Sequence, residues 1–221
     1  NPISETYNMD CMEYMRQFPD KYFELAVVDP PYAVGAADGT FGGRTGHNYK
    51  NHGSKTAKLK AYANANKAPE QEYFEELFRV SKNQIVWGFN YYPQYFSHGG
   101  VIIWDKETTG PLSDAELAWN SCVKLVEKYN HAWSGFKKGV ETGLTRIHPN
   151  QKPIALYRWT LHKYAKSGDK ILDTHLGSGS SRIAAYDLGF DFYATELDKD
   201  YFDAQEKRFQ NFKSQLKMEF A

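Results

Sequence analysis

Lys170-Ile171-Leu172-Asp173-Thr174-His175-Leu176-Gly177-Ser178-Gly179-Ser180-Ser181 reads as a strand, a glycine-rich turn and the entry to a helix. The helix runs through Arg182-Ile183-Ala184-Ala185-Tyr186-Asp187-Leu188 and stops at Gly189, a residue common just past a helix C-terminus. A second strand, Asp191-Phe192-Tyr193-Ala194-Thr195, closes on Glu196. An acid near the end of the second strand, about twenty residues after the turn, is how open α/β folds hold a ribose by its hydroxyls. The glycines let a ligand approach the backbone, and the helix N-terminus favours negative charge.

The turn excludes two common ligand classes. A dinucleotide fingerprint wants a third glycine at position 182, where this chain has Arg182. A phosphate-binding loop of the Gly-Lys-Ser/Thr type is absent. S-adenosylmethionine has no phosphate. It carries a carboxylate, a ribose diol, an adenine and a sulfonium, which suit a pocket rich in carboxylates with one small anion site.

A second signal lies far upstream, where Leu25-Ala26-Val27-Val28 runs into Asp29-Pro30-Pro31-Tyr32. Two consecutive prolines donate no backbone hydrogen bonds and have restricted φ angles, so the turn is stiff. It presents a carboxylate, free carbonyls and a flat ring at the strand's C-terminal edge, a set suited to gripping a planar base with an exocyclic amine. The plainer reading is a Pro-Pro turn with Tyr32 merely packing.

Taken together, these segments resemble the DNA amino-methyltransferases of the β arrangement, in which the catalytic half precedes the cofactor half. Tyr7-Asn8-Met9-Asp10-Cys11-Met12 resembles the short strand and Asp-Cys turn at the start of that family. His148-Pro149-Asn150-Gln151-Lys152-Pro153 resembles its His-Pro-x-Gln-Lys-Pro segment. The likeness covers nearly the whole chain. It implies a Rossmann-like methyltransferase fold of class α/β: a mixed, mostly parallel sheet flanked by helices, in permuted order, as a single domain over 1–221. It also implies S-adenosylmethionine as cofactor, held by Asp10, Cys11, Asp29, Lys152, Asp173, His175, Gly177, Ser178, Gly179, Ser180 and Glu196. Asp29, Pro30, Pro31 and Tyr32 are then the catalytic set, and no metal is implied. The substrate is double-stranded DNA with its target base rotated out. A homodimer and a cognate restriction enzyme are partner candidates, in the cytoplasm of a bacterial or phage-infected cell, near the nucleoid.

The chain departs from the family at two points. Asp173-Thr174-His175 stands where Asp-Pro-Phe is usual, so His175 either packs in place of the Phe or hydrogen-bonds. Ser180 stands where Thr is common, with the hydroxyl retained. An Asp before Pro-Pro-Tyr is typical of adenine methylation and a Ser of cytosine 4-amino methylation, so the adenine 6-amine is expected and the cytosine amine is the alternative. RNA or protein-amide methylation usually goes with Asn at that position. A non-catalytic DNA-binding module and a nicotinamide oxidoreductase are the other classes to test.

The 221 residues suffice for one α/β domain with a large core. Cys11 and Cys122 show no metal spacing and are too few for a disulfide framework. No run approaches roughly eighteen apolar residues, so no membrane span is expected, and the N-terminus lacks the pattern of a signal peptide. Net charge is zero, but its distribution is uneven. Residues 33–68 hold Arg44, Lys50, Lys55, Lys58, Lys60 and Lys67 against Asp38 alone, with many glycines and little periodicity. A structureless stretch this long in a compact domain is functional or disordered. Because it leaves the catalytic turn, a lid or DNA-contacting arm is expected, with cations meeting phosphates.

Periodicity predicts a strand at Glu5 to Met9, a helix at Cys11 to Gln17 and the catalytic strand at Glu24 to Val28. A helix over Glu70 to Val80 follows, packing Tyr73, Phe74, Leu77 and Phe78. Further strands are expected at Gln84 to Gly88, Val101 to Trp104, Glu116 to Ser121 and near His131 to Phe136. Helices are expected at Pro153 to Lys166 and Lys199 to Leu216. Residues 123–147, with Lys124, Lys128, Lys137, Lys138 and Arg146, are the short stretch left for target recognition.

Overall fold

The computed structural model describes residues 2–32, 67–108, 113–133, 141 and 146–219. Its strands form one eight-stranded sheet: β1 (Ser4–Tyr7), β2 (Phe23–Val28), β3 (Ser81–Trp87), β4 (Gly100–Asp105), β5 (Ala115–Asn120), β6 (Val126–Asn130), β7 (Lys170–Asp173) and β8 (Asp191–Thr195). The spatial order is β1-β8-β7-β2-β3-β5-β4-β6. The first five strands in that order run parallel. β5 is antiparallel to both β3 and β4, and β6 is parallel to β4. Helices α1 (Cys11–Met15), α2 (Gln71–Val80), α3 (Ile154–Tyr164) and α4 (Ser180–Leu188) lie between strands in the chain, and α5 (Lys199–Glu219) follows β8.

Strand alternation divides the core into two. Leu25 and Val27 of β2, Ile85 and Trp87 of β3 and Phe192 of β8 join Leu156 and Leu161 of α3, Ile183 of α4 and Phe209 of α5. Ala26, Val28, Val86, Leu172 and Tyr193 point the other way, to Tyr14 and Met15 of α1 and Tyr73, Phe74 and Leu77 of α2. Both faces of the central strands are therefore covered, which is why they read as continuous apolar runs. Trp87 and Trp104 are core residues packed edge to face, their ring centroids 6.4 Å apart. Trp133 packs half-buried on the same cluster, and its indole N–H donates to the Gln151 carbonyl at 3.1 Å.

Local chemistry sets the helix ends. Asp10 caps α1, its Oδ1 accepting the Met12 and Glu13 amides at 2.8 and 3.3 Å. Gly179 enters α4 at φ 72°, in the left-handed region, and a Cβ there would press on Gln205 at 3.1 Å. Arg79 ties α2 to the α1 end through the Phe18 and Met15 carbonyls and the Asp20 carboxylate.

One strand expectation is corrected. His131–Trp133 is not strand, and residues 134–136 of the expected one lie outside the described residues; among the described residues the last strand before α3 is Val126–Asn130. It is an edge strand that alternates exposed and half-buried positions, with Val126 69% exposed, so its pattern carries little apolar signal. At His131 the pairing trails off, with the His131 amide on the Asp105 carbonyl at 3.0 Å. Part of the stretch 123–147 supplies β6, and Lys128 is paired with Asp105 at 2.8 Å, while residues 134–140 and 142–145 lie outside the described residues. Arg146 donates to the His148 carbonyl. Lys137 and Lys138 lie outside the described residues, as do Arg44, Lys50, Lys55, Lys58 and Lys60. No described helix is long and apolar enough to cross a membrane.

Leu172 is fully buried on β7, immediately before Asp173. Leu172→Ala is expected to cost about 2–5 kcal/mol, as other buried leucines do. It should appear as a lower denaturation midpoint with an unchanged m-value; a loss below about 0.5 kcal/mol would contradict this packing.

Candidate active site

β2 and β7 lie side by side in parallel, with Leu25 opposite Ile171 and Ala26 opposite Leu172. Adjacent strands are about 4.8 Å apart. The corner after β2 and the glycine turn after β7 therefore leave the same edge of the sheet as neighbours, although they are remote in sequence.

At the corner, Asp29 Oδ1 accepts the Tyr32 hydroxyl and Oδ2 accepts Lys152 Nζ at 2.5 Å. The same ammonium lies 3.2 Å from the Tyr32 oxygen and 3.0 Å from Glu116 Oε2, and Glu116 Oε1 is 2.5 Å from Lys106. The Lys152 side chain is only 4% exposed. Burial pushes the Asp29 carboxyl above its usual range, and Lys152 opposes that push. Burial also acts on Glu116, but Lys152 and Lys106 outweigh it and hold that carboxyl at about 2. The Tyr32 ring stacks on Tyr91, centroids 4.7 Å apart and planes 17° apart. Gly88 makes room for it: φ is 71°, and a Cβ would fall 2.0 Å from Tyr32 Cε1.

On the glycine-turn side, Glu196 Oε2 accepts the Gly177 amide at 2.8 Å and Oε1 the Asp198 amide at 2.9 Å. Asp173 is buried behind the turn, taking the Ser181 hydroxyl at 2.6 Å and the His175 amide at 3.0 Å. Burial pushes its carboxyl up to about 7. Arg208 from α5 braces the turn from below, donating to the Ser178 carbonyl at 2.8 Å and the Ser180 hydroxyl at 2.9 Å. His175 does both things open to it: it stands edge-on to Tyr73 at 5.4 Å, and its Nδ1 shares a hydrogen with Thr174 Oγ1 at 2.9 Å. Burial lowers it to about 4, so it is an uncharged wall at neutral pH. Burial, with Asp10 adding to it, raises the Cys11 thiol to about 12, which makes it a lining group and not a nucleophile.

One cavity of about 290 Å³ joins the two sides. That is near the lower bound for small-molecule sites. Asp29, Pro30, Pro31 and Tyr32 line it together with Asp10, Cys11, Lys152, His175, Gly177, Ser178, Ser180 and Glu196. Asp173 and Gly179 are not on its wall; they hold the turn that is. Lys152 reaches the cavity, but its ammonium is engaged by acids on the corner side. The further lining residues that the sequence leaves unassigned include His148, Asn150, Tyr73 and Tyr157. His148 and Asn150 sit in the quoted His-Pro-x-Gln-Lys-Pro segment, which could have nominated them. Burial lowers His148 to about 3, and its Nδ1 accepts the Asn150 amide at 3.2 Å. Nothing in the helical pattern separates Tyr73 from its core neighbours.

A family model described as DNA methylase matches residues 46–207. The type II methyltransferase M2.DpnII of Streptococcus pneumoniae is 29% identical over 149 residues, spanning 64% of this chain and 53% of that enzyme. The type II methyltransferase M.HinfI of Haemophilus influenzae is 21% identical over 244 residues, covering 92% and 67%. Among solved structures, the M1.HpyAVI–SAM complex superposes with a TM-score of 0.56 at 19% identity, covering 92% of this chain and 98% of that one. PvuII DNA methyltransferase, cytosine-N4-specific, superposes at 0.61 with 15% identity, covering 94% and 87%. The sheet with its two flanking layers is thus the fold of DNA methyltransferases, and with the family model matching most of its length, this chain belongs to the DNA methylase family of N6/N4 methyltransferases.

Proposed function

We propose that the chain transfers a methyl group from S-adenosylmethionine to the exocyclic 6-amino group of adenine in double-stranded DNA. The observation that carries this reading is the single hollow shared by the Asp29-Pro30-Pro31-Tyr32 corner and the Gly177–Ser180 turn with Glu196. The residues present fit the cofactor: Glu196 for hydroxyls, the Ser178 and Ser180 turn for a small anion, and apolar walls from Met9, Tyr73 and Leu176 for a ring. When bound, S-adenosylmethionine supplies a methyl group made electrophilic by its sulfonium. Everything else is the task of the chain's own side chains.

The 6-amino nitrogen of adenine is a poor nucleophile because its lone pair is delocalised into the ring. Asp29 and the Pro30 carbonyl accept its two hydrogens and favour a pyramidal nitrogen. The gain lies in orientation and fixed electrostatics, with no covalent intermediate. The amine takes the place at Asp29 Oδ1 that the Tyr32 hydroxyl holds in the free protein. Tyr32 stacks on the base after it is rotated out of the duplex, offsetting part of an unstacking cost of a few kcal/mol. Arg44, Lys50, Lys55, Lys58 and Lys60 meet phosphates, so affinity falls steeply with salt. The adenine choice rests on Asp, and not Ser, before Pro-Pro-Tyr. The cytosine 4-amine is the second reading, favoured by the similar fold of an enzyme specific for it.

Asp29→Ala is expected to abolish transfer of labelled methyl to DNA while cofactor affinity, read by titration calorimetry, stays within a few-fold. Retained turnover would sink the assignment. Tyr32→Phe keeps the ring and frees Asp29 Oδ1, so it should retain most activity, whereas Tyr32→Ala should lose far more activity than thermal stability. The opposite pattern for the alanine variant makes Tyr32 a packing residue. Nucleosides from methylated DNA, separated and weighed by mass spectrometry, should contain N6-methyladenine. N4-methylcytosine alone would transfer the reading to the cytosine amine, and no modified base would overturn both.

A further inference from the structure

Lys152, Glu116 and Asp29 form a largely buried ionic chain, of which the transfer chemistry above uses only Asp29. Lys152 comes from the segment before α3, Glu116 from β5 and Asp29 from the end of β2, with Lys152 and Asp29 123 residues apart in sequence. Burying three charges is costly unless each is paired and held by hydrogen bonds. Here the ammonium is shared between two carboxylates at 2.5 and 3.0 Å, and Lys106 neutralises the outer acid at 2.5 Å. The ammonium sits between the two acids, so displacing it would break its contacts with both. Its position does not place it on the glycine-turn side, where a cofactor-binding lysine would be expected.

We infer that Lys152 and Glu116 are a positioning pair for the target amine's acceptor: Lys152 fixes the Asp29 carboxylate and keeps it able to accept hydrogens, and Glu116 fixes Lys152. This rests on the reading of Asp29 as that acceptor. A carboxyl that has gained a proton would present a donor to one amine hydrogen, and the amine could no longer be oriented. The groups facing Asp29 are Lys152, the Tyr32 hydroxyl, Glu116 from β5, Tyr157 from α3 and Asp173 from β7. Of these, only Lys152 brings a positive charge. Glu116 therefore has two opposed effects: its negative charge works against ionisation of Asp29 directly, while its hold on Lys152 supports the geometry.

The two roles separate in pH profiles. Removing an opposite charge at this range raises a carboxyl's pKa by about one to three units. Lys152→Met should therefore move the acid limb of kcat upward by about one to three pH units. Its kcat at neutral pH should fall by tenfold or more, with the Kd for S-adenosylmethionine changed less than about threefold; Lys152→Arg should restore the limb in part. Glu116→Gln keeps an acceptor for the ammonium and removes a negative charge, so its limb should move to lower pH. Opposite displacements are what general damage to the fold would not produce. If Lys152→Met does not fold, the downward limb of Glu116→Gln and the partly restored limb of Lys152→Arg carry the test alone. An unmoved limb in a folded Lys152→Met, or a Kd loss above tenfold, overturns the inference; the latter places Lys152 in the cofactor site. The Asp29 carboxyl can also be followed by carbon NMR in protein labelled at aspartate. Its midpoint should rise in Lys152→Met whether or not the wild type methylates DNA, so failure of this inference is distinguishable from failure of the function itself.

Discussion

The parallel pairing of β2 with β7 is the constraint on which the site depends. Hydrogen bonding between these strands, in the register that sets Ala26 opposite Leu172, forces two distant segments to leave the sheet side by side. What each carries past the edge then follows from its own sequence. β2 enters two prolines that cannot extend the ladder, so the chain breaks off with Asp29 exposed to the crevice. β7 enters a glycine turn whose Gly179 takes a left-handed φ and starts α4. Ligands in open α/β sheets bind outside the carboxyl ends of the strands, and here both halves of the chemistry meet at one such place. A slip of one residue between β2 and β7 would turn Leu25, Val27 and their alternates to the wrong cores, so packing on both faces protects the register.

Around that edge the protein favours neutral walls and concentrated charge. His148 and His175 are both uncharged at neutral pH because burial disfavours the imidazolium, and Cys11 stays a thiol for the corresponding reason. At the corner charge is concentrated in the Asp29–Lys152–Glu116 chain, while Asp10 and Glu196 also line the cavity. Such burial contributes little net stability, since desolvation offsets most of the Coulomb attraction. Its value is geometric: carboxylate, ammonium and carboxylate hold one another at fixed distances, which transfer between two bound groups requires.

The elements that were legible in the sequence were those with a strong local signal. β7, α4 and β8 form where Lys170 to Thr195 predicts them, because a strand, a glycine turn and a helix each leave a periodic mark. The four corner residues and most of the turn reach the cavity as expected. Asp173 was legible as part of the motif but not in its position: only the fold reveals that its carboxylate faces inward to Ser181 and the His175 amide. β6 was missed because an edge strand with alternating exposed positions has no continuous apolar face. Tyr73 was read as core, which it is, while one side of the same ring borders the cavity.

Glu116 was the least legible of all, and the topology explains it. In the all-parallel part of the sheet, residues near the ligand come from strand ends, so a reader looks just past β2, β3, β7 and β8. β5 runs the other way, with Ala118 opposite Trp87 at the finish of β3. Its first residues, and not its last, therefore stand at the ligand edge. An acid at the beginning of a strand would ordinarily be placed at the far side of the sheet from the crevice. The reversal brings Glu116 level with the corner, where Lys152 is waiting between it and Asp29. A sheet of strands running one way could set only its closing residues around the base; the reversed strand adds an opening residue, and with it a carboxylate that can hold the lysine from the side opposite the reacting acid.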